Sequence, residues 1–189
     1  ERVGEVEPDV RYALYVSTCS GLWAYGVGDV LRFSSTSPHR IFVAGRTSEM
    51  VDRFGEAVFG EEARAALRTA CEATGARVLD FHIAPRLPDH DVVAAHEWLI
   101  EFETPPDDVE SFADEIDQHL QQVNRHYQIR REAMSFDAPI ITPLRQGTFY
   151  DWLRSVRGSV SSQTKVPRMS EEREIADGVL GFNNNGGNG

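Results

Sequence analysis

The clearest hydrophobic pattern in the chain predicts an amphipathic helix that follows residues 105–108. Apolar side chains recur there at steps of three and four residues: Val109, Phe112, Ile116, Leu120, Val123 and Tyr127. This spacing places them on one face of a helix, and the acidic residues at its start suit the positive end of the helix dipole. A similar apolar face over residues 61–74, rich in alanine, predicts a second helix that ends at Gly75.

Strands are predicted where apolar and polar residues alternate, or where short apolar runs lie between turn residues. Residues 96–103 alternate, with Trp98, Ile100 and Phe102 on one face. Further segments of this kind are residues 12–16, 30–33, 40–44, 78–83 and 139–144. A short helix is predicted over residues 147–156. From the alanine-rich helix onward the order is α-β-β-α-β, which predicts an α+β fold: a small mixed or antiparallel sheet covered by two amphipathic helices.

Composition and charge narrow the class of protein without defining it. The 189 residues are 41% hydrophobic and 26% charged, with a formal net charge of −11, which is ordinary for a globular domain. The negative charge argues against nucleic-acid and anionic membrane partners, and no apolar run approaches membrane-spanning length. We therefore expect a cytoplasmic protein. The charged first residues, without a starting methionine, suggest a segment excised from a longer chain.

The positive charge is carried by eighteen arginines and a single lysine, Lys165, which lies in a polar loop. Arginine is a planar and permanently charged fork, whereas lysine is a compact charge on a flexible stem. Two interpretations stay open at this point. Lys165 is either an ordinary surface residue or a mobile ammonium that a reaction needs.

Other residues give weaker evidence of a functional site when each is considered alone. Residues 25–29, Tyr-Gly-Val-Gly-Asp, form either a hairpin turn capped by Asp29 or a site where that carboxylate binds a vicinal diol such as ribose. They lack the pattern of a phosphate loop. Arg46 ends a predicted strand, where most arginines are simply solvated. The six histidines and two cysteines show no metal-ligand spacing, so we expect structural or surface roles for them and predict no metal site.

Three parts of the chain carry motifs that occur together in one enzyme family. Residues 21–30 contain Gly-Leu-Trp and then Tyr-Gly-Val-Gly-Asp-Val, and residues 42–46 lead to Phe-Gly-Glu at 54–56. Gly-Thr-Phe at 147–149 is followed by Gln-Thr-Lys-Val-Pro-Arg at 163–168. In this order they resemble the nucleotide motif, the interdomain hinge and the closing pattern of the Gretchen Hagen 3 family of acyl acid–amido synthetases, in the acyl-adenylate-forming superfamily.

The resemblance implies ATP-dependent ligase chemistry. A carboxylic acid would react with ATP and Mg²⁺ to give an acyl-adenylate, and an amine, usually an amino acid, would then take the acyl group. Asp29 would hold the ribose hydroxyls, and Tyr25, Arg46 and Gln163 would belong to the nucleotide site. Lys165 would be the catalytic residue, bridging the substrate carboxylate and the α-phosphate, where negative charge builds up in the transition state.

The chain departs from the family's motifs at a few positions. These are Gly26 where arginine is usual, Ala57 where lysine is frequent, and Thr164 where an aromatic residue is usual. The family's helix motif Asn-x-x-Tyr-x-x-x-Arg is matched by Asn124, Tyr127 and Arg130, with one residue fewer between tyrosine and arginine. The departures put the family's usual substrates in question.

The resemblance also implies how the chain is organised. Residues 1–45 are expected to be strands from the end of the N-terminal adenylating domain plus the hinge, residues 46–177 the C-terminal lid domain, and residues 178–189 a disordered tail. ATP and Mg²⁺ would be bound mainly by the N-terminal domain, which is not in this sequence. The expected partners are that domain, a small carboxylic acid and an amino acid, and we expect the isolated chain to be inactive.

Two alternatives to an amide-forming enzyme stay open. A coenzyme A ligase of the same superfamily would use the same Asp29 and Lys165 but needs a thiol-binding face, and no basic patch for the coenzyme's 3′-phosphate is evident. A non-catalytic α+β binding or regulatory module would place Asp29 and Lys165 on unrelated faces.

Overall fold

The computed structural model of the chain describes residues 3–47, 49–89, 93–158 and 165–185. The strands in these ranges are β1 (Arg11–Val16), β2 (Tyr25–Thr36), β3 (His39–Arg46), β4 (Met50–Val51), β5 (Val58–Phe59), β6 (Arg77–Arg86), β7 (Ala95–Thr104) and β8 (Ile140–Leu144). The helices are α1 (Gly60–Thr74), α2 (Val109–Val123), α3 (Arg125–Glu132), α4 (Thr148–Arg157) and α5 (Glu174–Asn185). Together they form an α+β fold, which confirms the predicted class.

The larger core surrounds a mixed sheet in which β7 lies between β6 and β8. Strand β6 pairs antiparallel with β7, whereas β8 pairs parallel with it. Trp98, Ile100 and Phe102 project from one face of β7 and pack with the apolar sides of α1 and α2. The two covering helices are therefore the two that the apolar spacing predicted.

The opposite face of this sheet carries a second core that the sequence pattern did not reveal. Leu99 of β7 points to that side and packs with Phe149 and Leu153 of α4 and with Ala176 and Val179 of α5. Because helices cover both faces of the sheet, β7 is buried along most of its length.

The long helix predicted after residue 108 is interrupted at Asn124. Helix α2 is capped by the Asp108 carboxylate, which accepts hydrogen bonds from two backbone N–H groups of the first turn. Asn124 has an extended backbone, donates its N–H to the carbonyl of Leu120, and accepts the N–H of Tyr127 on its side chain. One residue therefore ends α2 and begins α3, so the prediction of a continuous helix to Tyr127 is wrong.

Helix α5 occupies part of the segment for which the sequence predicted a disordered tail. It spans residues 174–185, and Val179 is fully buried in the second core. The side-chain carbonyl of Asn183 accepts a hydrogen bond from the backbone N–H of Arg145 at 3.1 Å. The prediction of disorder from residue 178 is therefore wrong as far as the end of this helix, because the asparagine-rich composition hid an apolar side that packs on α4.

Strands β1, β2 and β3 form an antiparallel sheet of their own. Its buried apolar residues are concentrated in β2: Val30, Leu31 and Phe33. Arg11 of β1 connects this sheet to α1, because its guanidinium lies 2.8 Å from a carboxylate oxygen of Glu62 and 4.3 Å from the ring centre of Phe59.

Candidate active site

The first sheet brings two of the predicted nucleotide-binding residues side by side. Asp29 on β2 is the register partner of Arg46 on β3, and Arg46 Nε lies 3.5 Å from Asp29 Oδ1. The preceding Gly28 has a φ of +85°, which favours glycine, and its carbonyl accepts the N–H of Thr47. The end of this strand pair therefore holds the Asp29 carboxylate beside a guanidinium and leaves 27% of the Asp29 side chain exposed.

Tyr25 begins β2 and is about half exposed. Next to it, Gly26 faces Tyr15 across the strand pair, and a Cβ at residue 26 would lie 3.2 Å from the Tyr15 ring. The tyrosine ring thus covers the position at which the related motif carries arginine. A longer side chain at residue 26 fits only if the Tyr15 ring moves.

Lys165 is exposed and precedes a segment that lies along β6. This segment runs parallel to the strand, because Ile83 donates its N–H to the carbonyl of Arg168 and accepts the N–H of Ser170. Val166 is buried, so the change from exposed to buried falls directly after the lysine. The ammonium group is carried at the end of an anchored stretch of chain.

The predicted site residues therefore fall on two sheets. Asp29, Arg46 and Tyr25 lie on the sheet of β1–β3, here called the first sheet, and Lys165 lies beside the sheet of β6–β8, here called the second sheet. Among the residues that the structure describes, no hydrogen bond or ion pair joins Lys165 to the other three. Gln163 lies outside the described residues. The roles assigned to these residues stay predictions.

The segment that resembles the family's hinge ends in a buried contact between a carboxylate and a histidine ring. A carboxylate oxygen of Glu56 lies 2.7 Å from His96 Nε2, and neither side chain is more than 1% exposed. The other oxygen of Glu56 accepts the N–H of Phe54 at 2.7 Å. The His96 ring also stacks with Phe54 and Phe136. This histidine is structural, as the sequence predicted, and it fixes the loop at residues 52–57 to β7.

The motif on α3 stabilises the larger core. Tyr127 donates its hydroxyl to Asp117 at 2.7 Å, and Arg131 donates to both oxygens of that carboxylate at 2.9 and 3.1 Å. Burial, with the added effect of the Asp117 charge, raises the pKa of Tyr127 far above its usual value, so its hydroxyl stays protonated. The arginine that completes the motif is Arg131, four residues after the tyrosine. This corrects the assignment of Arg130, whose guanidinium lies against Gly55.

The Gly-Thr-Phe motif has a structural role at the start of α4. Gly147 adopts a left-handed conformation with a φ of +84°. The carboxylate of Glu101 accepts the N–H of Gly147 at 2.9 Å and the N–H of Phe149 at 2.6 Å. A carboxylate in this place satisfies free N–H groups and interacts favourably with the helix dipole. The motif thereby fixes α4 to β7, the strand that carries Glu101.

Sequence reasoning missed the histidine that fixes the lysine segment. His82 is fully buried on β6, and its Nδ1 donates a hydrogen bond to the carbonyl oxygen of Pro167 at 2.6 Å. Its place between Phe81 and Ile83 in an apolar strand was a signal, because a buried polar group needs a partner. The sequence could not show that the partner lies two residues after Lys165.

Among the residues that the structure describes, no group of three or more His, Cys, Asp or Glu side chains is arranged to hold a metal ion. None of the helices in the same ranges is long and apolar enough to cross a membrane. The cytoplasmic location stays a prediction.

Comparison with known families defines the class of protein that has this fold and these motifs. A model of the GH3 family C-terminal domain matches residues 61–174, more than half of the chain, and a model of the GH3 family central domain matches residues 2–46. The chain therefore belongs to the GH3 family. A search of curated proteins found no match.

Solved structures of GH3 proteins share this fold. A GH3.15 acyl acid amido synthetase is 21% identical, with a TM-score of 0.72 over 95% of this chain and 33% of its own. A structure described as AtGH3.15 acyl acid amido synthetase in complex with 2,4-DB is 20% identical, with a TM-score of 0.68 over 95% of this chain and 34% of its own. A 2-hydroxyisobutyryl-CoA ligase, at 14% identity and a TM-score of 0.45 over 86% of this chain and 31% of its own, is too distant to add to the assignment. The chain spans about a third of the length of these relatives.

Proposed function

We propose that this chain is the C-terminal part of an ATP-dependent, AMP-forming acyl acid–amido synthetase. In the first step a carboxylate attacks the α-phosphate of ATP, which forms an acyl-adenylate and releases pyrophosphate. In the second step an amino acid or another amine attacks the acyl carbon, which forms an amide and releases AMP and a proton. Membership of the GH3 family carries the proposal, and the Asp29–Arg46 pair supports its nucleotide site.

Asp29 suits the ribose end of the nucleotide, because one carboxylate can accept hydrogen bonds from both hydroxyls of a vicinal diol. Its present contact with Arg46 is long and partly exposed. Such a surface pair contributes only about 0–1 kcal/mol, so the ribose hydroxyls can share or displace it at little cost. The exposed Tyr25 on the same sheet would line the nucleotide site.

Lys165 suits the reacting centre, because an ammonium can stabilise the charge that develops between the carboxylate and the α-phosphate. It is the only lysine in the chain and is exposed. A lysine on a flexible stem can approach two oxygens at once, whereas the planar arginine fork imposes a fixed geometry. Lys165 is therefore the residue to which we assign the catalytic role.

Of the groups of Mg²⁺-ATP, this chain provides a fitting site only for the ribose. Asp29 and Arg46 provide polar groups for the sugar, but the described residues provide no three-ligand cluster for a metal ion. The sequence also lacks a phosphate loop. In this proposal the phosphates, the metal ion and most of the acid are bound by the remaining part of the protein, and the isolated chain is inactive.

The proposal is tested in the full-length protein that contains this chain. Pyrophosphate release is measured with ATP over a panel of carboxylic acids, with and without amino acids, for the wild type, Lys165→Ala and Arg157→Ala. Arg157 is also an exposed cation, at the end of α4, so its substitution controls for the loss of one charge. On an acid that the wild type activates, Lys165→Ala should lower kcat by about 10²–10³-fold, a typical cost of removing one transition-state contact.

The products then separate the remaining possibilities. An amide formed with an amino acid supports the synthetase, whereas a thioester formed only with coenzyme A would replace it by a ligase of that kind. Full activity in Lys165→Ala, or no activation of any acid by the wild type, would contradict the proposal.

A further inference from the structure

We propose that His82 is a positioning residue that holds the chain directly after Lys165 and thereby places the lysine for adenylation. This proposal rests on the proposed function, because it needs Lys165 to act in the reaction. His82 itself touches no substrate, since its contact is with the backbone of Pro167.

Hydrogen bonds to β6 anchor the chain directly after Lys165. The segment that follows Lys165 is bound to β6 by the backbone hydrogen bonds of Ile83 to Arg168 and Ser170, at 2.9 and 3.0 Å. Pro167 has no N–H and cannot add a donor to this ladder. Among the described residues the 2.6 Å bond from His82 Nδ1 to the Pro167 carbonyl is therefore the hydrogen bond of this segment that lies nearest in sequence to the lysine.

The His82 ring uses one of its two nitrogens for the bond to Pro167. His82 is fully buried, and burial lowers its pKa, so the ring is neutral at neutral pH. Because a carbonyl can only accept, the neutral ring must carry its proton on Nδ1. Its Nε2 is buried without a hydrogen-bond partner in the described part of the chain. A buried histidine with one satisfied nitrogen is costly, and here that single bond goes to the lysine segment.

The buried part of the segment begins directly after Lys165. Val166 and Met169 are buried at 8% and 2% exposure, and Arg168 lies over the ring of Phe81. Lys165, one residue earlier, is exposed. The base of the lysine is therefore fixed while its side chain is free to move. Since a misplacement of about 1 Å can cost about 100-fold in rate, a loose base would lower the rate of the step that Lys165 assists.

The test compares two substitutions of nearly equal shape in the full-length protein. In His82→Asn the amide N–H₂ can replace the Nδ1 donor, whereas His82→Leu has a similar size and no donor. We expect His82→Leu to lower kcat for pyrophosphate release by about 10–100-fold with little change in KM for ATP. His82→Asn should keep most of the wild-type rate.

The same substitutions are then made in Lys165→Ala. If His82 acts through the lysine, His82→Leu should cause no further loss in that background, because residues that act as a unit are not additive. Thermal unfolding shows that the variants compared are folded. If His82→Leu does not fold, His82→Phe takes its place, because it fills the ring volume without a donor.

The outcomes separate the two proposals. A large loss in Lys165→Ala with full activity in His82→Leu would overturn the positioning role alone. An equal loss of kcat from His82→Leu in the wild type and in Lys165→Ala would also overturn the positioning role, because it would indicate a general structural effect. Full activity in Lys165→Ala would overturn the proposed function and the positioning role with it.

Discussion

The two three-stranded sheets of the described residues, the first formed by β1–β3 and the second by β6–β8, bury their side chains to very different extents. Strand β7 of the second sheet is covered by helices on both faces, and its Trp98 is fully buried. On the first sheet Tyr15, Tyr25 and Val43 are each more than half exposed. Apolar surface of this kind usually marks a place where something else binds or packs. Within the described residues the second sheet is packed on both faces, whereas the first sheet buries a few residues, mainly of β2, and leaves several large apolar side chains exposed.

This difference matches the division of the candidate site. Asp29 and Arg46 lie on the open sheet, where a ligand can reach them. Lys165 lies at the edge of the well-packed sheet, which can hold its backbone in place. The first sheet would bind the nucleotide, and the second sheet would position the ammonium group of Lys165.

The largest effect is expected in the core of the second sheet. Trp98→Ala removes a fully buried indole from the core shared with α1 and α2, and such truncations cost about 3–5 kcal/mol. Trp23→Ala is the matched control, because Trp23 is 88% exposed near the first sheet and surface substitutions stay within about 0.5 kcal/mol. Chemical denaturation of the chain measures both. Similar losses in the two variants would mean that the regions do not differ as described.

A slightly smaller effect is expected at the loop that resembles the hinge. Glu56→Ala leaves His96 Nε2 buried without its carboxylate partner, and a buried polar group that loses its hydrogen-bond partner costs about 1–3 kcal/mol. Glu61→Ala, an exposed substitution on α1, is the control. Denaturation midpoints measure the difference. If Glu56→Ala is as stable as the control, the contact between Glu56 and His96 does not stabilise the loop at residues 52–57.

The next effect depends on pH and concerns His82. Burial lowers its pKa and Arg173 lowers it further, while the Pro167 carbonyl and Asp80 act in the opposite direction. The unfolded ring has a pKa near 6.5, so below that pH the unfolded state binds more protons than the folded one. The stability linked to the neutral ring is therefore present above pH 6.5 and is lost as the pH falls toward the lower folded pKa.

Substitution should remove this pH dependence. In the wild type, His82 contributes to the decrease in the free energy of unfolding below pH 6.5. Because neither Asn nor Leu titrates, this contribution should be absent in both His82→Asn and His82→Leu. The leucine variant should be the less stable of the two at every pH, since it also lacks the donor to Pro167. Denaturation curves at a series of pH values measure this. Curves parallel to that of the wild type would contradict the assignment of a neutral buried ring.

The smallest effect is expected on the open sheet. Gly26→Ala places a Cβ 3.2 Å from the nearest atom of the Tyr15 ring. This ring is exposed and can move aside. We expect a change in stability within about 0.5 kcal/mol, and no further change when Tyr15→Ala is added. A loss of several kcal/mol would mean that this surface is packed more rigidly than its exposure indicates.

The sequence predicted those parts of the fold that depend on local periodicity. The apolar spacing of α1 and α2 and the alternation along β7 each lie within one element, so they are visible without the fold. Asn124 hid the break between α2 and α3, because a capping side chain looks like any other polar residue in a helical pattern. The helix at 174–185 was hidden by its polar composition.

The candidate site was only partly accessible from the sequence. Motifs predicted Asp29, Arg46 and Lys165 as site residues, and the register of β2 and β3 places the first two in contact. The contact between His82 and Pro167 spans 85 residues of sequence and follows only from the fold. The same holds for Glu56 and His96, which lie 40 residues apart. Long-range polar contacts of this kind leave no periodic signal.

One measurement tests most directly whether the two regions complete a single site. An amine-reactive reagent labels Lys165 in the full-length protein, and peptide mass spectrometry identifies the site without ambiguity within this chain, because Lys165 is its only lysine. We predict that ATP, together with a carboxylic acid that the enzyme activates, strongly slows the labelling of Lys165. Asp29→Asn, which weakens ribose binding on the first sheet, should reduce this protection at the same ATP concentration. Labelling at the same rate with and without ATP and acid would contradict it.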